Sequence, residues 1–263
     1  MGRRKRRKSL GNRVWFIDEV RGMAIILMVV YHLCFDLVYI FNVKIEIFDS
    51  AIINFMRDVF AGLFIFISGI SCRFSSNNLK RGIICFLSGL GVTLVTFFFM
   101  RHETIYFGAL HMLGISMILY NCFEKLLNKI KFPIFGIVIA GLLFYFTREI
   151  SRGKIGIWTF YIDDSIKKWL FPFGIVSSDF HSWDYFPLIP WIFVFLAGCY
   201  FGVYVIENRL PEFFYNMHSR PIAFVGRHTL WIYLLHQPIL YGLLYVIFNY
   251  ICPYVLNGRV FVV

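Results

Sequence analysis

Seven apolar segments, each about 17 to 25 residues long, constrain the fold more than any other feature of the sequence. A helix of about 20 apolar residues, rising about 1.5 Å per residue, crosses the roughly 30 Å hydrocarbon core of a bilayer. The chain is 59% hydrophobic and 20% aromatic, with a mean hydropathy of +0.70, which exceeds what one soluble core would bury. We therefore predict an all-α, polytopic integral membrane bundle of about seven transmembrane helices. The predicted spans are 22–41, 52–73, 82–100, 104–122, 132–147, 185–206 and 229–250.

Charge divides the chain into three segments. Residues 1–21 are strongly basic, residues 22–250 form a single transmembrane domain, and residues 251–263 form a C-terminal tail. Most of the 26 Lys and Arg residues fall on the side of the N-terminus, so the positive-inside rule predicts a cytoplasmic N-terminus. A basic run directly before a span is typical of an anchor that touches anionic membrane lipids, which argues against a nucleic-acid partner.

The longest polar connection, 148–184, is predicted to lie outside. A connection of this length is usually functional or disordered, and its many aromatic residues favour an ordered lid over the outer mouth of the bundle. Within it, the stretch 171–176 is apolar but too short to cross a membrane, so the sequence is compatible with a re-entrant or an interfacial segment there.

The first span carries an unusual set of ionisable residues. His32 lies eleven residues after Arg21, which places it about 16 Å deeper, near the predicted bilayer centre. Asp36 follows one turn later, at the spacing that lets a carboxylate orient an imidazole. Because an ionisable group is costly within a membrane, this set is a candidate functional site.

Two further histidines are predicted at a similar depth. His111 has Gly108 and Gly114 three residues on either side, which would allow a neighbouring helix to approach closely. His236 precedes Pro238, which would free a backbone carbonyl and kink the helix. Together with His32 they indicate one polar cavity, although each of the two taken alone also fits a helix–helix hydrogen bond without chemistry.

Charged and sulfur-containing residues elsewhere give weaker signals. Arg57 and Asp58 are adjacent on a predicted helix, so we expect each to pair elsewhere, with Arg57 as an interfacial anchor and Asp58 serving the outer side of the site. The six cysteines have no paired spacing, so we predict packing roles, no disulfide framework and no metal.

Motifs along the whole chain resemble bacterial members of the heparan-alpha-glucosaminide N-acetyltransferase catalytic-domain family. The spacing of Arg21 and His32 is also similar to that in the first helix of the larger integral-membrane acyltransferase-three family. The matching stretches are 17–37, 64–69, 107–116, 184–191 and 226–238.

The resemblance implies an acyltransferase of the bacterial plasma membrane. The acyl group, expected to be acetyl, would pass from cytosolic acetyl-CoA or another acyl-CoA to a sugar or lipid-linked acceptor outside. His32 would be the general base and Asp36 would fix its tautomer. The predicted cavity and acceptor residues are His111, His236, Gln237, Tyr233, Asp58, Asp184 and Trp191, with Tyr185 beside them. The predicted acyl-CoA contacts are Arg21, Arg73, Arg81 and Arg227; for Arg73, Lys80 and Arg81 ordinary positive-inside topology is the competing explanation.

Two functions other than acyl transfer also fit the sequence, and one feature departs from the family pattern. A transporter or flippase would also hold ionisable residues at mid-depth, and a membrane interaction protein would use them for packing alone. In animal members a histidine between the first two spans is the proposed acetyl carrier, whereas residues 42–51 contain no histidine, so no acetyl-histidine is expected there. The sequence leaves a homodimer open.

Overall fold

A computed structural model describes residues 14–99 and 104–251. The basic run at residues 2–8, and all of the tail except Ile251, lie outside the described residues. The described helices are α1 (Trp15–Phe35), α2 (Ala51–Phe74), α3 (Asn78–Phe99), α4 (Ala109–Leu127), α5 (Pro133–Thr147), α6 (Asp164–Leu170), α7 (Leu188–Ile206), α8 (Arg220–Arg227) and α9 (Thr229–Val246). Wider π-helical turns follow α1 at Asp36–Ile40 and α9 at Ile247–Ile251.

The predicted all-α membrane class is confirmed, and each of the seven predicted spans corresponds to a helix. Among the described residues, six helical segments are long and apolar enough to cross a membrane. The fourth predicted span, 104–122, corresponds to α4, which is not one of the six. This helix carries His111, Asn121 and Glu124, and it also has more buried residues than the other helices, so it depends less on contact with lipid.

The described residues form two compact units, of which the first comprises residues 14–64 and 211–251. Its central contact is the packing of α1 on α8. A methyl group at Gly22 would overlap the backbone carbonyl of Ile222, and one at Gly226 would overlap that of Asp18. Two glycines are therefore required because the helix backbones touch at this crossing.

The second unit comprises residues 65–210, in which α3 packs on α4 and α5 packs on α7. The predicted close approach at Gly114 is confirmed, since a methyl group there would lie 2.6 Å from the backbone nitrogen of Phe86. Gly108 contacts the Asp184 loop instead of a helix, because it precedes the first turn of α4.

The 148–184 connection is ordered, as its aromatic content predicted. It contains a two-stranded hairpin of β1 (Lys154–Ile155) and β2 (Trp158–Thr159), in which Ile155 pairs with Trp158. Helix α6 follows, and a short 3₁₀ turn at Phe171–Phe173 occupies the stretch for which a re-entrant piece was left open. The Phe171 ring stacks on Phe180 at 5.3 Å, so an aromatic cluster holds this turn.

Candidate functional site

A pair of histidines in the first unit forms the core of the candidate site. The imidazole rings of His32 on α1 and His236 on α9 lie 5.0 Å apart between centroids, at an interplanar angle of 57°. Both residues are half-buried, and the aromatic rings of Tyr31 and Phe35 lie against His32. The predicted association of His32 with His236 is therefore present in the structure.

Asp36 and Gln237 join the same two helices next to the histidines. The Gln237 side-chain nitrogen donates to Asp36 Oδ1 at 2.7 Å, and Asp36 is completely buried. The amide of Gln237 is thus a partner of Asp36 that the sequence did not indicate, and the orienting role of Asp36 towards His32 stays a prediction. A π-helical turn begins at Asp36.

The tautomer of His236 follows from its local partner. Nδ1 of His236 lies 2.6 Å from the backbone carbonyl oxygen of Tyr233. A carbonyl oxygen only accepts, so Nδ1 is the protonated nitrogen and the lone pair of a neutral ring is on Nε2. The Tyr233 backbone thus positions the ring, and Tyr233 also contacts it through its own ring at 5.6 Å.

Arg21 lies at the other end of α1, beside α8. Arg21 forms an ion pair with Asp18, three residues earlier on the same helix, at 3.2 Å, and the same guanidinium nitrogen donates to the Gly226 carbonyl at 3.5 Å. Arg21 therefore helps to hold α8 in place. Arg227, on α8, is exposed, and its guanidinium lies 5.7 Å from the Phe224 ring centroid.

Glu19 is a structural residue that the sequence interpretation missed. Its buried carboxylate accepts the backbone N–H groups of His218 and Ser219, each at 2.6 Å, and lies 3.0 Å from Nδ1 of His218. Ser219 directly precedes α8, so Glu19 caps this helix from a distant part of the chain. The only sequence feature that pointed to Glu19 was its position within the matching stretch 17–37, two residues before Arg21.

We predict that Glu19→Ala destabilises the protein by about 1 to 3 kcal/mol, because two backbone donors lose a charged acceptor. Thermal unfolding of the detergent-purified protein would measure the loss. Glu46→Ala, at an exposed carboxylate of the same unit, is the matched control and should leave the transition unchanged. Equal stability of the two variants would show that the cap contributes nothing.

The expectation for Arg57 and Asp58 is wrong in part, because the two side chains pair with each other. Nη2 of Arg57 lies 2.8 Å from Oδ1 of Asp58, and Nη1 donates to Asn54 at 3.2 Å. The Cβ atoms of adjacent helical residues point in different directions, but the arginine side chain is long enough to reach around the helix surface to Asp58. Both residues are exposed, so the pair is a surface feature.

His111 belongs to the second unit, where it has mainly structural contacts. Its Nδ1 accepts the Gly108 N–H at 3.2 Å at the start of α4, and its ring stacks on Phe107 at 5.5 Å. Its Nε2 lies 3.4 Å from the Thr93 hydroxyl on α3. These contacts match the alternative of a helix–helix hydrogen bond, and a cavity shared with His32 stays a prediction.

Of the three basic residues at the start of the second unit that were considered as acyl-CoA contacts, one is held by hydrogen bonds and two are exposed. Arg73 donates from Nε to the Cys199 carbonyl at 2.7 Å and from Nη1 to Asn128 at 2.5 Å. Its guanidinium also lies 5.5 Å from the Tyr120 ring centroid, which identifies Arg73 as a packing residue. Lys80 and Arg81 are exposed at the start of α3.

Three residues predicted to contact the acceptor, Asp184, Tyr185 and Trp191, also lie in the second unit. Trp191 packs between Phe144 and Phe186, with ring distances of 5.8 and 5.3 Å. The Tyr185 hydroxyl donates to the Phe171 carbonyl at 2.5 Å, and burial raises the pKa of this phenol. Asp184 is half-buried beside Gly108. Packing therefore accounts for both aromatic side chains.

The helices define an integral membrane protein, and α1 and α9 bring together two histidines, a carboxylate and an amide. The chain belongs to the family described as heparan-alpha-glucosaminide N-acetyltransferase, catalytic, whose model matches residues 13–238. The matched region includes both histidines, and the family is one of membrane acetyltransferases. No curated protein and no solved structure matches the chain.

Proposed function

We propose that the protein is a membrane acyltransferase that moves an acetyl or similar acyl group from cytosolic acyl-CoA to a sugar or lipid-linked acceptor on the opposite side. The observation that carries the proposal is the His32–His236 pair, with rings 5.0 Å apart beside the Asp36–Gln237 hydrogen bond. Family membership supports acetyl transfer, and the helical architecture supports catalysis within the membrane.

The reaction needs one base and no redox partner. His32 takes the proton from the acceptor hydroxyl or amine while that oxygen or nitrogen attacks the thioester carbonyl. The carbon–sulfur bond then breaks as the tetrahedral intermediate collapses, and the His32 imidazolium gives its proton to the leaving CoA thiolate, which restores the neutral base. General-base catalysis of this kind contributes about 10² to 10⁴ in rate.

His236 and Asp36 have supporting roles in this proposal. With Nδ1 of His236 directed to the Tyr233 carbonyl, Nε2 provides a second site that receives or relays a proton. Asp36 is held by Gln237, so its charge remains close to the histidines and favours the imidazolium that forms in the transition state. Asp36 thus acts through its field and through the α1–α9 contact.

The donor side is assigned to basic residues near the cytoplasmic ends of the helices. Arg227 is exposed, and so are Arg81 and Lys80, which suits contacts with the phosphates of CoA. Arg21 and Arg73 donate to carbonyls of neighbouring helices. We therefore propose that they position the helices on the acyl-CoA side and do not bind CoA themselves. Isothermal titration with CoA would separate an enzyme, which binds it, from an interaction protein, which does not.

A direct test uses purified protein, isotopically labelled acetyl-CoA and a panel of free and lipid-linked sugars. Mass spectrometry should detect the acetyl mass on an acceptor together with released CoA. A transporter would instead move a solute across vesicles without consuming acetyl-CoA. Mass spectrometry of surface glycans and lipids from cells with and without the gene would identify the acceptor class.

We also predict the topology on which the two sides depend. Single cysteines at 75–80 and 210–220 should react with membrane-impermeant reagents only from the cytoplasmic side, and those at 150–180 only from outside, because the basic residues follow this division. Labelling of 150–180 from the cytoplasm would contradict the assignment of the acceptor side.

A further inference from the structure

The β1–β2 hairpin exposes large apolar side chains beyond the end of a membrane-spanning segment. Its tip is formed by Gly156 and Ile157, and Ile157 is 90% exposed. Trp158, the next residue, is 73% exposed. Isolated exposed apolar residues are ordinary on protein surfaces, whereas adjacent ones on a hairpin tip indicate a surface that something covers.

The hairpin is attached to the span that precedes it. The candidate span Pro133–Arg152 ends two residues before β1, and the Gly156 N–H donates to the Phe146 carbonyl at 2.7 Å. A methyl group at Gly156 would lie 2.9 Å from the Phe146 ring, so the hairpin rests on that side chain. The tip must therefore stay close to the membrane surface.

The exposed surface of α5 continues into the hairpin. On the last turns of α5, Leu142, Tyr145 and Phe146 are exposed in the described structure, as expected for side chains that face lipid. Because Phe146 contacts Gly156, the apolar surface passes without a break from the lipid-facing side of the span to the hairpin tip. Lipid is the occupant that this continuity indicates.

Large aromatic residues are also exposed at both ends of helix α6. Tyr161, just before it, is 85% exposed, and Trp169, near its end, is 81% exposed. Lys154 and Lys168 are exposed within the same segment. Tyrosine and tryptophan favour the boundary between headgroups and acyl chains, and lysine reaches from there to lipid phosphates.

We propose that residues 154–170 form an interfacial anchor that lies in the headgroup region of the bilayer, with Ile157 and Trp158 at the acyl-chain boundary. This placement differs from that of a lid, which would turn the same aromatic residues towards an aqueous substrate site. The proposal is independent of the acyl-transfer reaction, so either can fail without the other.

Tryptophan fluorescence in nanodiscs of phosphatidylcholine with brominated acyl chains tests the anchor. The signal of Trp158 is the difference between the full-length protein and its Trp158→Phe variant, and Trp169→Phe gives a second reading. We expect both difference signals to lose most of their intensity in brominated lipid and to resist iodide in the water. Trp183→Phe is the matched control, because Trp183 lies in the same connection, packs against His181 and should not respond to bromine.

Difference signals that iodide quenches and brominated lipid leaves unchanged would overturn the proposal and favour the lid. Substitution by phenylalanine keeps an aromatic ring at each position, so loss of fold does not confuse the result. A response of Trp183 equal to that of Trp158 would likewise contradict a local anchor at the hairpin and α6.

Discussion

His32→Ala is expected to lower the acyl-transfer rate by about 10² or more while acyl-CoA affinity changes only a few fold. The imidazole acts on the acceptor proton in the transition state, whereas the basic residues assigned to the donor lie at the ends of other helical segments. Single-turnover transfer from labelled acetyl-CoA measures the rate, and isothermal titration measures the affinity. His32→Gln, which retains hydrogen bonding without a comparable base, should lose activity to a similar degree.

Two controls separate chemistry from structure at this site. His181→Ala removes an exposed histidine that has no role in the proposed reaction, and it should retain the full rate. Asp36→Asn should reduce the rate less than His32→Ala, because the residue acts through its charge and its bond to Gln237. A fully active His32→Ala protein would refute general-base catalysis by this residue.

The second large effect concerns the crossing of α1 and α8. Gly226→Ala and Gly22→Ala should each destabilise the protein by about 1 to 3 kcal/mol, or prevent folding, because the added methyl group overlaps a backbone carbonyl of the facing helix. A backbone atom cannot rotate away as a side chain can. Thermal unfolding in detergent would show a transition lowered by roughly 2 to 12 °C.

Gly242→Ala is the matched control for this prediction. Gly242 lies on α9 in the same unit, and no atom lies within 4 Å of the position its methyl group would take. Alanine there should leave stability unchanged or raise it, since alanine favours helix over glycine. An unfolding temperature lowered equally in all three variants would show that loss of glycine, and not the close crossing, is responsible.

Much of the helical architecture was predictable because apolar runs of membrane length have few structural alternatives. Helix α8 was not predicted, since its eight residues are too few for a span and its position depends on Glu19 and Gly22, which come from a distant part of the chain. The hairpin and α6 were also missed. They are short and lack the long periodicity on which span prediction depends.

The candidate site was predictable only in its local parts. The Asp18–Arg21 pair follows from helical spacing, and the association of two histidines within the membrane follows from the cost of placing each there alone. The bond between Asp36 and Gln237 joins residues 201 positions apart, so only tertiary packing creates it. Spacing alone favoured His32 as the partner of Asp36.

Sealed proteoliposomes test the central claim most directly. Labelled acetyl-CoA is supplied on the side of the N-terminus and the acceptor is enclosed on the opposite side, with His32→Ala protein as the inactive control. The proposed mechanism predicts that the acceptor becomes acetylated while CoA remains on the side where it was supplied. Acetylation only when both substrates share one compartment would contradict transfer across the membrane.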